Sequence, residues 1–163
     1  MKVRLRTQSI TIQASRSAVF RLISSFGDGD PDSSAHVARD RPGETEEGKT
    51  LLKRDGNRLL MEFRSRDGRK MYRTLEEVIL YPDDRITFRH IEGPLNHSEE
   101  EFQFTDPDSG TTMTHDGEIE CRMHWLPLAG WMMARFYVKR HYERLVLRHM
   151  NSLKEKAEEA GAS

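Results

Sequence analysis

The sequence predicts an α+β fold in which a curved antiparallel sheet wraps a long C-terminal helix. Three observations carry this reading. Alternating residue runs separated by tight-turn signals fill the stretch from Asn57 to Arg122. The connections between those runs are hairpin-sized, which joins antiparallel neighbours. A final amphipathic segment, Trp131 to Ala160, contains neither Pro nor Gly and stops at Gly161, a natural helix end.

Taken in order, Val3 to Gln13 alternates as a strand. Val3 and Leu5 share one phase, Ile10 and Ile12 another, so the phase changes near Gln8. Ser15 is a good N-cap, and Ala18, Val19, Leu22, Ile23 and Phe26 recur at helical spacing, predicting a short helix from about Arg16 to Ser25. Gly27 to Asp32 is a loop by composition, and Asp32-Ser33-Ser34 is suited to cap one further helical turn. Arg41 to Gly48 reads as an exposed acidic connection, followed by a short strand at Lys49–Lys53. Strands then follow at Asn57–Ser65, Lys70–Tyr81, Arg85–Glu92, His97–Thr105 and Thr111–Arg122. Their turns are Asp67-Gly68, Pro82-Asp83-Asp84, Gly93-Pro94 and Asp106 to Gly110. The expected architecture is a single domain over 1–163, with seven strands and one or two short helices after the first strand.

Hydrophobic residues make up 36% of the 163-residue chain and charged residues 33%. A low apolar fraction suits a shell around one helix better than a thick multilayer core. The net charge of −1 gives no basic footprint for nucleic acid. The single cysteine, Cys121, excludes an intrachain disulfide and fits a reducing compartment. Neither a signal-peptide core nor a run of about 18 apolar residues is present. A cytoplasmic location is therefore expected.

The terminal helix is roughly 30 residues and about 45 Å long. One stripe collects Trp131, Val138, Tyr142, Leu145, Val146, His149, Met150 and Leu153. Arg135 and His149 fall within it, and polar groups on a buried stripe need partners. Either they pair with strand residues or they face a cavity and hydrogen-bond a ligand.

Three local patterns carry a resemblance. Ser9-Ile10-Thr11-Ile12-Gln13-Ala14-Ser15 followed by Arg16-Ser17-Ala18-Val19-Phe20 forms a strand, a small polar cap and a helix start. Tyr81-Pro82-Asp83-Asp84-Arg85-Ile86 enters a strand after a proline, and Gly110-Thr111-Thr112-Met113-Thr114-His115 opens the last strand. With the element order, these resemble the START/Bet v 1-like (SRPBCC) superfamily, and within it the polyketide cyclase/dehydrase and coenzyme-Q-binding families. The resemblance implies a helix-grip fold and a hydrophobic ligand held between sheet and helix. Gly27 to Ser33 departs from the aromatic-rich stretch many relatives carry there, so the mouth of the cavity differs.

Chemistry is sparse. The seven histidines (His36, His90, His97, His115, His124, His141 and His149) lack the close pairing of a zinc helix, so no metal is expected. There is no G-x-S-x-G elbow or Gly-rich phosphate loop, and no cofactor is expected. Cys121 in a strand reads as a small buried hydrophobe. The ligand-binding candidates are Arg73, His90, Trp131, Met132, Arg135, Tyr142 and His149. Arg73 shares a phase with Met71 and Leu75, and His90 with Ile86 and Phe88. The window Trp125 to Met133 is the most apolar in the chain and precedes basic residues, which suits transient contact with a membrane surface as well as simple closure of the barrel end. Three functions fit: a binding or transport module for a lipid, quinone or aromatic polyketide; an aromatase/cyclase using one or two polar groups in the same cavity; and an interaction domain with a vestigial cavity.

Overall fold

The computed structural model describes residues 2–25, 48–67, 70–106, 110–121 and 127–161 of the chain. Strands β1 (Val3–Arg4) and β2 (Gln8–Ile12) precede helix α1 (Arg16–Ser24). The sheet continues with β3 (Gly48–Asp55), β4 (Arg58–Asp67), β5 (Lys70–Tyr81), β6 (Arg85–Glu92), β7 (His97–Thr105) and β8 (Thr111–Glu120). The chain then forms α2 (Pro127–Met133), a π-helical turn (Ala134–Val138) and α3 (Lys139–Gly161) without a break. The helical turn and loops expected within residues 27–47, and the stretches at 68–69, 107–109 and 122–126, lie outside the described residues.

All strands join one antiparallel sheet in the order β1-β8-β7-β6-β5-β4-β3, with β2 also paired to β8. The predicted first strand is thus two short ones. It breaks at residues 5–7, where the sequence phase changes, and both parts pair with β8. Register shifts occur between Leu51 and Lys53 in the β3–β4 pair, and between Leu75 and Glu76 in the β5–β6 pair. Such bulges bend a strand and raise its twist, which helps the sheet curl.

Helix α1 starts where Ser15 Oγ accepts the Ala18 N–H at 3.4 Å, and it buries Val19, Phe20 and Ile23. These meet Leu59, Met61, Val78, Leu80, Ile86, Phe102, Phe104 and Met113 on the concave face, and Val146, Met150, Leu153 and Ala157 of α3. Fully burying each large side chain is worth about 1.5–3 kcal/mol. Phe20 and Phe104 meet edge to face with centroids 5.9 Å apart. The N-terminal half of the long helix packs elsewhere: Ala134, Trp131 and Val138 sit on Val3, Leu5, Ile119 and Cys121.

The first strands also bind the helix by polar ties. Lys139 Nζ donates to Arg4 O at 2.7 Å, the Arg6 N–H to Glu143 Oε1 at 2.6 Å, and the Gln13 N–H to Glu158 Oε1 at 2.8 Å. The sheet's outer face is charged. Arg73 pairs with Glu62 at 2.7 Å, Arg89 with Glu77 at 2.9 Å and Arg4 with Asp116 at 2.6 Å. This accommodates the high charged fraction; the exposed Arg4–Asp116 pair contributes little, whereas Glu62 is buried between Arg73 and Arg64.

The long helix begins earlier than its periodicity predicts and contains a wide turn. The Lys139 N–H donates to Ala134 O, an i→i+5 bond. Gly130, Ala134, Val138, Tyr142, Val146 and Met150 then follow a strict four-residue repeat along the buried or half-buried side. In an unbroken α-helix that repeat drifts by about 40° per step, and the wide turn takes up part of the drift.

Candidate functional site

The concave face is apolar at the end where α1 and α3 meet and ionisable at the other end. The period-2 phase of three strands makes it so. On β5, Glu76 follows the inward phase of Val78 and Leu80; on β7, Ser98 and Glu100 follow Phe102 and Phe104; on β8, His115 follows Met113. Across the ladder, Glu100 pairs with Gly117 on β8 and with Phe88 on β6, and Glu76 pairs with His90.

The Glu100 carboxylate is the hub. Its Oε1 accepts from Ser98 Oγ at 2.8 Å and from the Tyr142 hydroxyl, and its Oε2 lies 2.9 Å from His115 Nε2. His115 is fully buried beside the Phe102 ring, centroids 4.8 Å apart, and its Nδ1 has no partner. A neutral imidazole donating from Nε2 leaves only a lone pair at Nδ1.

Glycines make room for this group. A Cβ on Gly117 would lie 2.9 Å from Glu100 Cγ and 2.8 Å from Glu99 O, so the Glu100 side chain crosses β8 only above a glycine. At Gly93, with φ +151°, a Cβ would lie 2.8 Å from His90 Cε1 and 2.9 Å from Thr74 Cγ2.

Burial, and next the nearby charge of Glu100, push the Glu76 carboxyl up to about 7, while the Thr74 hydroxyl works the other way. Burial also raises the Tyr142 hydroxyl well above its ordinary range, with Glu100 and Glu76 adding to it. Burial lowers His90, partly offset by a Leu95 backbone group. The arrangement therefore combines a carboxyl that gains or loses a proton near neutral pH, a phenol that keeps its proton, and the Glu100 side chain that accepts the phenol's hydrogen bond. Phe63 and Phe88, half-buried and 6.2 Å apart, and Phe102, 5.8 Å from Phe88, form an aromatic wall beside it.

A family described as polyketide cyclase/dehydrase and lipid transport matches residues 6–158. The chain belongs to this family. No curated protein matches the sequence. The polyketide cyclase/dehydrase-family chain is similar in fold to TTHA0849 from Thermus thermophilus, at 21% identity over 100% of both chains with a TM-score of 0.71. It is also similar to the Zhui aromatase/cyclase from Streptomyces sp. R1128, at 17% identity over 97% of this chain and 94% of that one, TM-score 0.70. A START superfamily protein from Mycobacterium smegmatis is similar at 15% identity over 97% and 99%, TM-score 0.67. The helix-grip architecture expected from the sequence is thus shown.

Of the residues singled out in the sequence of this family member, Tyr142 belongs to the polar group, and His90 stands opposite Glu76 in the β5–β6 ladder. Trp131 lies outside it, in the cluster between β1, β8 and the helix. Arg73 lies on the outer face: Met71 and Leu75 belong to the outer phase, and Arg73 is held there by Glu62 and by Glu92 at 3.2 Å. Met132 and Arg135 are both exposed and lie apart from the polar group. The Arg135 guanidinium lies 5.8 Å over the Phe136 ring instead. His149 is exposed at the middle of α3, and its pKa is lowered by partial burial and then by Lys49 and Lys156. Sequence reasoning missed Glu76, Ser98, Glu100 and His115, although each charged one keeps an apolar phase.

Two features of the outer face stand apart. A depression of about 520 Å³ is lined mainly by charged groups, including Arg4, Glu77, Arg89, Glu101 and Glu118, which does not suit a hydrophobic ligand. His97, Glu99 and Glu118 bring potential metal-ligand atoms within 4.8 Å of one another, but the Lys2 ammonium already pairs with Glu118. Cys121 is buried, and burial raises its thiol, which disfavours a nucleophilic thiolate.

Proposed function

We propose that the protein binds a small hydrophobic molecule, of the lipid, quinone or aromatic polyketide class, on the concave side of its sheet. One polar group of that molecule reaches Glu76, Glu100 and Tyr142. The observation that carries this is an ionisable cluster set into an otherwise apolar face. Placing two carboxyls together out of water costs stability, and a ligand hydrogen bond offsets part of that cost. Neutral Glu76 donates to a ligand carbonyl, while the Tyr142 oxygen, its O–H donating a hydrogen bond to Glu100, accepts from a ligand hydroxyl. Apolar rings or chains lie along Phe63, Phe88 and Phe102. The family description, which joins cyclisation to lipid transport, supports this ligand class. The test is native mass spectrometry of protein purified from its host, with displacement of a hydrophobic dye by quinones, fatty acids and polycyclic phenols. A bound mass, and displacement weakened in Tyr142→Phe, support the reading. A protein that carries nothing and binds no dye overturns it.

Turnover is the second reading, favoured by the position of Glu76 near neutrality, where a carboxyl best serves as general acid and base. On a poly-β-ketone chain it would take a proton from carbon beside a carbonyl and return one to the oxygen. Product formation that disappears in Glu76→Gln, with binding retained, supports turnover. Binding without product leaves carriage as the function.

A further inference from the structure

The first half of the terminal helix has two faces with opposite demands. Gly130, Ala134 and Val138 turn towards β1 and β8. On the far side Leu128, Met132, Met133, Phe136 and Tyr137 are 44–68% exposed. Leu128, Met132 and Phe136 follow one another at four-residue spacing, with Met133 and Tyr137 alongside, so they form one continuous strip. The wide turn contributes, because it leaves Arg135, Phe136 and Tyr137 all exposed between the buried Ala134 and half-buried Val138. Large apolar groups gathered on one surface mark an interface.

Charge tells what fits there. From Cys121 to Tyr142 the sequence holds Arg122, Arg135, Lys139 and Arg140 and no Asp or Glu, in a chain with 26 basic and 27 acidic residues. An apolar strip edged by the exposed Arg135 and Arg140 complements an anionic lipid surface. A symmetric dimer through this strip would set like charges against each other, which argues against a second copy as the occupant. The Tyr137 ring, amphipathic and outward, suits the headgroup level.

We propose that this strip is a membrane-docking face: the helix lies in the surface of an anionic bilayer with Phe136, Tyr137, Met132, Met133 and Leu128 inserted and Arg135 and Arg140 on the headgroups. The inference is independent of the ligand reading, since it rests on the outward side of the helix.

The test is flotation of the full chain with vesicles of phosphatidylcholine alone or with added phosphatidylserine. Binding should be at least about tenfold stronger on the anionic vesicles and should weaken as salt rises. The Phe136→Ser/Tyr137→Ser double variant alters exposed positions only; it should lose binding at least about tenfold, with unchanged circular dichroism. Leu128→Ser gives a milder version of the same loss. Absence of binding to either vesicle, or binding that the double variant leaves intact, overturns the proposal. So does a dimer in solution that the double variant splits, which would assign the strip to a second copy.

Discussion

The two ends of the concave face are made by the same strands and the same alternation, yet they are chemically opposite. At one end Leu59, Val78, Ile86, Phe104 and Met113 interlock with α1 and with Met150. At the other, the same inward phase delivers Glu76, Ser98, Glu100 and His115 to Tyr142. The first end supplies the stability that tolerates the second. A sheet held shut by packing at one end can keep half-buried aromatics and two neighbouring acids at the other.

The comparison is broken most severely at the packed end. Phe104→Ala removes a ring that is 1% exposed and should cost about 3–5 kcal/mol in denaturant unfolding. An effect below about 1 kcal/mol would mean the packed end is not what holds the fold.

The next effect is electrostatic. Glu76 is raised in the folded protein to about 7 from an ordinary 4.5. The folded state therefore keeps a proton that the unfolded state has released between those values. Glu76 thus subtracts stability progressively as pH rises from about 4.5 to 7, by at most about 3 kcal/mol at 1.36 kcal/mol per unit. Unfolding of Glu76→Gln compared with the parent across that window should show the parent losing ground steadily. Parallel curves would remove Glu76 from the interior.

Tyr142→Phe deletes one donor to Glu100 and should cost about 1–3 kcal/mol, more than a surface tyrosine would. Smallest of all, Arg73→Met and His149→Leu should each change stability by less than about 1 kcal/mol and leave dye binding unaltered. A clear affinity loss in either would return those residues to the ligand.

What is legible in the sequence is what local chemistry dictates. The strands at Lys70–Tyr81, Arg85–Glu92 and His97–Thr105 fall where alternation and turn residues put them. The break in the first strand shows as a change of phase at Gln8. The site is less legible because charge ordinarily signals exposure. Glu76 and Glu100 sit two residues from Val78 and Phe102, and the alternation alone sends them inward. Arg73 misleads because two apolar neighbours, Met71 and Leu75, occupy the outer phase beside it. The helix residues mislead for another reason. A uniform 100° per residue cannot represent the i→i+5 turn at Ala134–Lys139, so it draws Arg135 onto the inner stripe.

The ties between the opening strands and the terminal helix have a kinetic consequence. Among the described residues, β1 and β2 find their sheet partner only in β8, and the Gln13–Glu158 bond spans 145 positions of chain. During synthesis β1 and β2 must wait, unpaired, until β8 has been made. Closing so long a loop is slow, and until then the open edge of β8 and the apolar side of α3 are available to other chains. Crowded or rapid expression should therefore aggregate this protein before it reaches the native state, however stable that state is once formed.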